Sequence, residues 1–247
     1  MIHIIIPSYE AGEALNRCLD SVMKQTDQEF KVVLIDDAST TRSHRRSCSR
    51  YVDAYGWMLI RNTENMKCPY TIKQGIEASG AAEDDVILLL DGDDFLTHVA
   101  VEHIKEVYEK YPQLWLTYGS YQPYPDWTTE PRPSEYPTIT RWNRDFRTDI
   151  MRFNHPITFR RFLWDALEDV DLQDNDGNWF TDGYDQVIMS PMLEMAGADH
   201  YAFLDEVLYY YYAKNPLSEW RLIEAEELIP HASQVRDRPK KELLIRG

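Results

Sequence analysis

Apolar residues fall in short blocks along the first hundred positions, and each block is stopped by turn-forming or acidic residues. Ile2 to Ile6 is a nearly continuous apolar run ended by Pro7, as a strand buried on both faces would be. Ala14 to Gln25 places Leu15, Cys18, Leu19, Val22 and Met23 at helical spacing. Lys31 to Ile35 reads as a second buried strand, and Trp57 to Ile60 as a third. Ile72 to Ser79 predicts a helix that stops at Gly80. Val86 to Leu90 is a fourth strand, and Val99 to Tyr111 a helix closed by Pro112. This alternation predicts an α/β fold: a mainly parallel central sheet with helices on both faces.

The later chain reads differently. Tyr121 to Pro137 holds five prolines among aromatics, which predicts a loop or extended crossover and not a solvated tether. Phe159 to Leu167 and Tyr184 to Ala196 look helical, and Phe203 to Tyr212 looks like a late strand. The expected organisation is one domain over 1–229, with a donor-binding half (1–120) and an acceptor-binding half (121–229). Residues 230–247, with five basic and two acidic side chains, form a mobile tail or a terminal helix. Between Arg161 and Lys214 there is no Lys or Arg but 12 Asp or Glu. That run is either a solvated acidic face or a source of working carboxylates.

Composition narrows the function. The 247 residues carry 26 Lys and Arg against 42 Asp and Glu, a net charge of −16. Such a chain is a poor partner for nucleic acid, whose grip depends on neutralising phosphates. The three cysteines, Cys18, Cys48 and Cys68, form no CxxC, which argues against a disulfide framework or a zinc site and suits a reducing compartment. The N-terminal apolar run is short and lacks a basic leader, and no later run approaches the ~20 apolar residues of a membrane span. The expectation is a soluble, cytoplasmic protein without a transmembrane segment.

The chemistry concentrates where strands end. Asp91-Gly92-Asp93-Asp94 follows the fourth strand, and carboxylates this close repel unless a cation or hydrogen-bond donors neutralise them. The C-terminal rim of a parallel sheet is where such folds bind ligands. Hard divalent cations, Mg²⁺ or Mn²⁺, take carboxylates together with substrate phosphates. A turn after the strand is the plain alternative. Asp36-Asp37 ends the second strand on the same rim, where carboxylates can accept bonds from a nucleobase or ribose, or simply cap a helix with Ser39. Ser8-Tyr9 follows the first strand and offers a ring to stack on a base.

The joint pattern IIIPSYEAGEALNRCLDSVMKQT, FKVVLIDDAST and ILLLDGDDFL resembles the opening of family 2 glycosyltransferases of the GT-A fold. The resemblance rests on Pro7, Ser8, Tyr9, Leu19, Ser21, Gln25, Thr26, Asp36, Asp37, Ser39, Asp91, Asp93 and Asp94. It implies an inverting, metal-assisted enzyme that moves a sugar from a nucleotide-sugar donor to a hydroxyl of a glycan, a lipid-linked sugar or a protein. The implied donor contacts are Pro7, Ser8, Tyr9, Glu10, Asp36, Asp37, Asp91 and Gly92, and Asp93 and Asp94 would hold Mn²⁺ or Mg²⁺. The family's usual Arg ahead of Gly75-Ile76 is Ile72 here, so Lys67 or Lys73 stands in as a contact to the diphosphate. In the second half, Gly183-Tyr184-Asp185-Gln186 opens a helix where the family keeps its catalytic base. Asp185 is the candidate by position, with Asp182 its competitor. Tyr184 and His155 are further candidate contacts to donor or acceptor. Two other readings compete. A sugar nucleotidyltransferase is disfavoured because Pro7 to Gly12 lacks a Gly-rich basic loop, and a non-catalytic binding module because all three acidic clusters are retained.

Overall fold

The strands form where β-branched, leucine and aromatic residues gather. They are β1 (Ile2–Ser8), β2 (Phe30–Asp36), β3 (Met58–Arg61), β4 (Val86–Leu89), β5 (Phe95–Leu96), β6 (Leu116–Tyr124), β7 (Ile157–Arg160) and β8 (Tyr201–Tyr212). The helices are α1 (Glu13–Met23), α2 (Arg42–Tyr55), α3 (Cys68–Ala78), α4 (Ala100–Lys110), α5 (Thr138–Asn143), α6 (Arg161–Asp165) and α7 (Tyr184–Ala196). The computed structural model describes every residue except 126–132, 182, 215–232 and 247.

The eight strands make one sheet in the order β3-β2-β1-β4-β7-β6-β8-β5. β1 pairs in parallel with β2 and β4, and β2 with β3. β7 enters antiparallel between β4 and β6, β8 runs parallel to β6, and β5 closes the edge antiparallel to β8. β6 runs through position 120, so the two expected halves share one continuous sheet.

The strand period of two splits the core into two layers. Ile4, Ile6, Leu34 and Leu88 face Leu15 and Leu19 of α1, Cys48 and Tyr51 of α2, and Ile104 of α4. Ile5, Val33, Ile35, Ile87 and Leu89 face Ile72 and Ile76 of α3 and Ile188 and Met192 of α7. Each such fully buried side chain contributes roughly 1.5–3 kcal/mol. The chain connects β1, β2 and β3 outward on one side and then returns to β4 on the other side of β1. The crevice between β1 and β4 is therefore a topological switch point, where open α/β sheets place ligands.

Some elements differ from the sequence reading, and the tail takes one of its two expected forms. Phe159 begins no helix: β7 runs to Arg160 and only the short α6 follows, because Ile157 to Phe159 are captured between β4 and β6. Helix α2 lies in a basic, polar stretch, and its inward face is only His44, Cys48 and Tyr51. In the tail, 233–237 are helical and Val235 is buried, held by the Arg147 guanidinium bonding to its carbonyl.

Candidate active site

β1, β2 and β4 deliver their acidic or polar ends to one rim. Asp91 leaves β4 and Gly92 turns back over β1, its N–H bonding to the Pro7 carbonyl at 3.0 Å. A Cβ on Gly92 would lie 2.5 Å from Ser8 Oγ, so only glycine fits this crossing. The turn is pinned from behind. Gln25 Nε2 donates to the Thr97 carbonyl at 2.7 Å, its Oε1 accepts from Val101 N–H at 2.9 Å, and Ser21 Oγ accepts from Leu96 N–H.

Asp91 faces four side chains drawn from other elements. The Tyr184 hydroxyl, at the start of α7, donates to its two carboxylate oxygens at 2.6 and 2.7 Å. His155, just before β7, places Nε2 3.2 Å from that hydroxyl, 3.7 Å from Asp91 and 3.4 Å from Asp185. The fourth, Tyr209 of β8, stacks on the His155 ring at 4.6 Å and lies beside the Asp91 N–H. Burial, with the like charges of Asp93 and Asp185, raises Asp91 to about 6, partly offset by His155 and the Tyr184 bond. Burial alone would lower His155, but the Asp185 and Asp91 carboxylates outweigh it and lift it to about 9. His155 is therefore an imidazolium at neutral pH and donates toward this acidic group. Asp185 sits in the first turn of α7, where the helix dipole favours a carboxylate. It is a quarter exposed, and its Oδ1 is the oxygen that faces His155.

The neighbouring acids divide in role. Asp93 stands partly exposed on the turn. Asp94 is buried, with one oxygen on the Tyr209 hydroxyl at 2.8 Å and the other on Tyr212 N–H at 2.7 Å. Burial and its acidic neighbours raise it well above the usual carboxylate range. Asp94, expected as a metal ligand, thus has both oxygens on donors of β8, whereas Asp93 and Asp91 are only partly buried.

The β2 pair also turns inward. Asp36 accepts from Ser39 N–H at 3.0 Å and lies 3.6 Å from both His44 and Arg61, so it does not reach the cleft as expected of a base contact. Asp37 accepts from Asn62 Nδ2 at 2.7 Å and from the N–H groups of Met66 and Lys67. It shapes the 62–67 loop that leads into α3. Lys67 takes a left-handed φ of 73° there. Lys73 points away to Asp169 and Glu77 and lies over the Trp179 ring, so it is not aimed at the switch point. Glu10 also departs from a donor contact. Its carboxylate accepts from Thr40 and Thr41, and despite a burial penalty these bonds hold it down at about 2. Pro7 and Ser8 are buried under the Gly92 turn, while Tyr9 is 48 % exposed on the rim. Asp182, the competing base candidate, lies outside the described residues.

Among the described residues, the group of three side chains whose ligand atoms lie within 4.8 Å of one another is Asp36, His44 and Cys48, all buried between β2 and α2. It is separate from the Asp91–Asp94 turn. The sequence reading did not find Tyr209, Asn62 or Gln25 as parts of the site. A tyrosine inside a run of four carries no pattern that singles out which ring turns inward.

A sheet with a switch point above β1 and β4, an acidic turn there and a helix-borne carboxylate opposite define the GT-A class of glycosyltransferase fold. The structure of S. aureus TarS (residues 1–349) with UDP-GlcNAc superimposes with a TM-score of 0.67 at 16% identity, covering 87% of this chain and 59% of that one. A mannosyltransferase from Pyrobaculum calidifontis with GDP-Man and Mn²⁺ gives 0.62 at 17% identity, covering 97% and 65%. The chain belongs to glycosyl transferase family 2, whose sequence profile matches residues 3–167. Glycosyltransferase GlyG of Streptococcus pneumoniae is 28% identical over 112 residues, 44% of this chain and 36% of that protein. The uncharacterized glycosyltransferase EpsJ of Bacillus subtilis is 23% identical over 220 residues, 88% and 62%. The chain thus spans between about a third and two thirds of the length of these relatives. No helix among the described residues is long and apolar enough to cross a membrane.

Proposed function

We propose that this protein transfers a sugar from a nucleotide-sugar donor to an acceptor hydroxyl, with inversion at the anomeric carbon. The observation that carries the proposal is the Asp91–Tyr184–His155–Asp185 group, which joins the tip of β4 to the start of α7. The donor class is supported by two structural neighbours, one holding UDP-GlcNAc and one GDP-Man.

The residues divide the chemistry as follows. Tyr9 borders the base, and Asp37 acts by fixing the 62–67 backbone beside it. Burial raises Asp91 and the like charge of Asp93 adds to it; a divalent cation would relieve that repulsion, so the turn fits Mn²⁺ or Mg²⁺, with Asp93 and Asp91 as its carboxylates. When bound, the cation stabilises the charge that grows on the departing diphosphate. Asp185 takes the proton of the acceptor hydroxyl as its oxygen attacks the anomeric carbon. The bond from that carbon to the diphosphate oxygen breaks, and its electron pair leaves with the nucleotide. His155 stays protonated and orients the Asp185 side chain, and Tyr184 holds Asp91 in line. The acceptor is a glycan, a lipid-linked sugar or a protein. Cys18, Cys48 and Cys68 form no disulfide with one another, which suits a cytoplasmic setting.

The test is transfer from a panel of nucleotide sugars with Mn²⁺ to hydroxyl acceptors, with the anomeric configuration of the product read by NMR. Release of nucleoside diphosphate with an inverted product is expected. A retained configuration, or no turnover with any donor, contradicts the proposal.

A further inference from the structure

Among the described residues, several cations of this acidic chain are matched by carboxylates. Lys73 meets Asp169, Lys105 meets Asp27 and Glu29, and Arg246 meets Glu83 and Asp84. Helix α2 gathers arginines that are not. Arg42, Arg45 and Arg46 lie at i, i+3 and i+4, so they share one face, and Ser49 continues it a turn later. Arg61 reaches this face from the end of β3, donating to Ser49 Oγ at 2.7 Å and to the Arg45 carbonyl at 3.3 Å. Together with Thr40 these five residues line an open cavity of about 430 Å³.

The charge in this cavity is not neutralised from within. Among the described residues no carboxylate pairs with Arg42, Arg45 or Arg46, and Arg61 alone faces one, Asp36, at 3.6 Å. Like charges at these helical spacings repel. Four arginines and Ser49 around one space match the oxygens of a phosphoryl group, which guanidinium forks bind in bidentate fashion, while the Thr40 hydroxyl beside them donates to Glu10. The volume exceeds that of one phosphate and leaves room for the group that carries it. β3 is the sheet edge, three strands from β4, so the cavity lies about 14 Å across the sheet from the Asp91 turn at ~4.8 Å per strand.

We infer that the cavity between α2 and the end of β3 is a binding site for a phosphoryl-bearing ligand, separate from the cleft at the Asp91 turn. The inference does not depend on the proposed transfer reaction.

Calorimetric titration of the full chain with inorganic pyrophosphate, without divalent metal, tests it. Wild type and Asp91→Asn bind alike, and the double variant Arg45→Gln/Arg46→Gln binds at least about tenfold more weakly, since each lost charge-assisted pair weakens a phosphate contact. Glutamine keeps helix propensity at exposed positions, so the variant folds. Sedimentation with phosphatidylcholine vesicles, with and without phosphatidic acid, distinguishes a lipid-borne phosphoryl group from a soluble one. No binding of pyrophosphate or of acidic vesicles by wild type, or undiminished binding by the double variant, overturns the inference. So does a loss of UDP–Mn²⁺ affinity in the double variant equal to its loss of pyrophosphate affinity, which would make the cavity part of the donor cleft.

Discussion

The Tyr184 phenol lies within hydrogen-bond distance of both oxygens of Asp91, at 2.6 and 2.7 Å, and so ties the first residue of α7 to the tip of β4. Together with His155, this side chain links the Asp91 turn to the candidate base. Tyr184→Phe removes a donor that favours the charged carboxylate, so Asp91 rises further above 6. Nucleotide binding with Mn²⁺, followed by calorimetry across pH 5–8, is expected to need a higher pH in the variant and to weaken about tenfold near neutrality, the scale of one lost hydrogen bond to a charged group.

His155 gives stability a pH dependence of known sign. Its pKa is raised in the fold to about 9 from 6.5. Its contribution is fully present below pH 6.5 and is lost as pH rises through about 9. Asp91 is raised from 3.8 to about 6, so charging it between those values also works against the fold. Melting temperatures of wild type and His155→Gln are expected to converge between pH 6.5 and 9. A gap that widens over that range refutes the assignment.

Asp185→Asn keeps the shape of the α7 N-terminus and removes the proton acceptor. Transfer is expected to fall by about 10²–10⁴, the usual contribution of a general base. Affinity for the nucleoside diphosphate stays within a fewfold of wild type, and steady-state kinetics beside calorimetry separate the two.

Glu194 and Arg147 form a buried bidentate pair, at 2.6 and 2.9 Å, that also receives the Lys241 N–H from the C-terminal segment. Glu194→Ala strands the guanidinium in the core. Urea denaturation is expected to show a loss of about 3–5 kcal/mol.

The sequence carried the parallel half of the fold because β1, β2 and β4 are buried on both faces and therefore read as unbroken apolar runs. It did not carry α2, whose outer face is arginine and serine and whose inner face is three residues wide. Nor did it carry β6, where Gly119 and Pro123 interrupt a strand that β7 and β8 hold in place. Phe159, Phe162, Leu163 and Ala166 have helical spacing, yet the first is claimed by the sheet. At the site, the pattern located the acidic turns but not their orientation. Asp36, Asp94 and Glu10 look like ligands in a motif, and the fold turns each toward a protein donor. Asp185 and His155 were legible as candidates; that Tyr184 and His155 link Asp91 to Asp185 follows only from placing α7 over β4.

The central claim is that the turn after β4 holds the diphosphate of a sugar donor through a cation. A crystal structure with a nucleoside diphosphate and Mn²⁺ tests it most directly. The account predicts the ion between the diphosphate and the carboxylates of Asp91 and Asp93, with the open side of the cleft facing Asp185. A diphosphate bound away from that turn, or the ion seated at Asp36, His44 and Cys48, contradicts it.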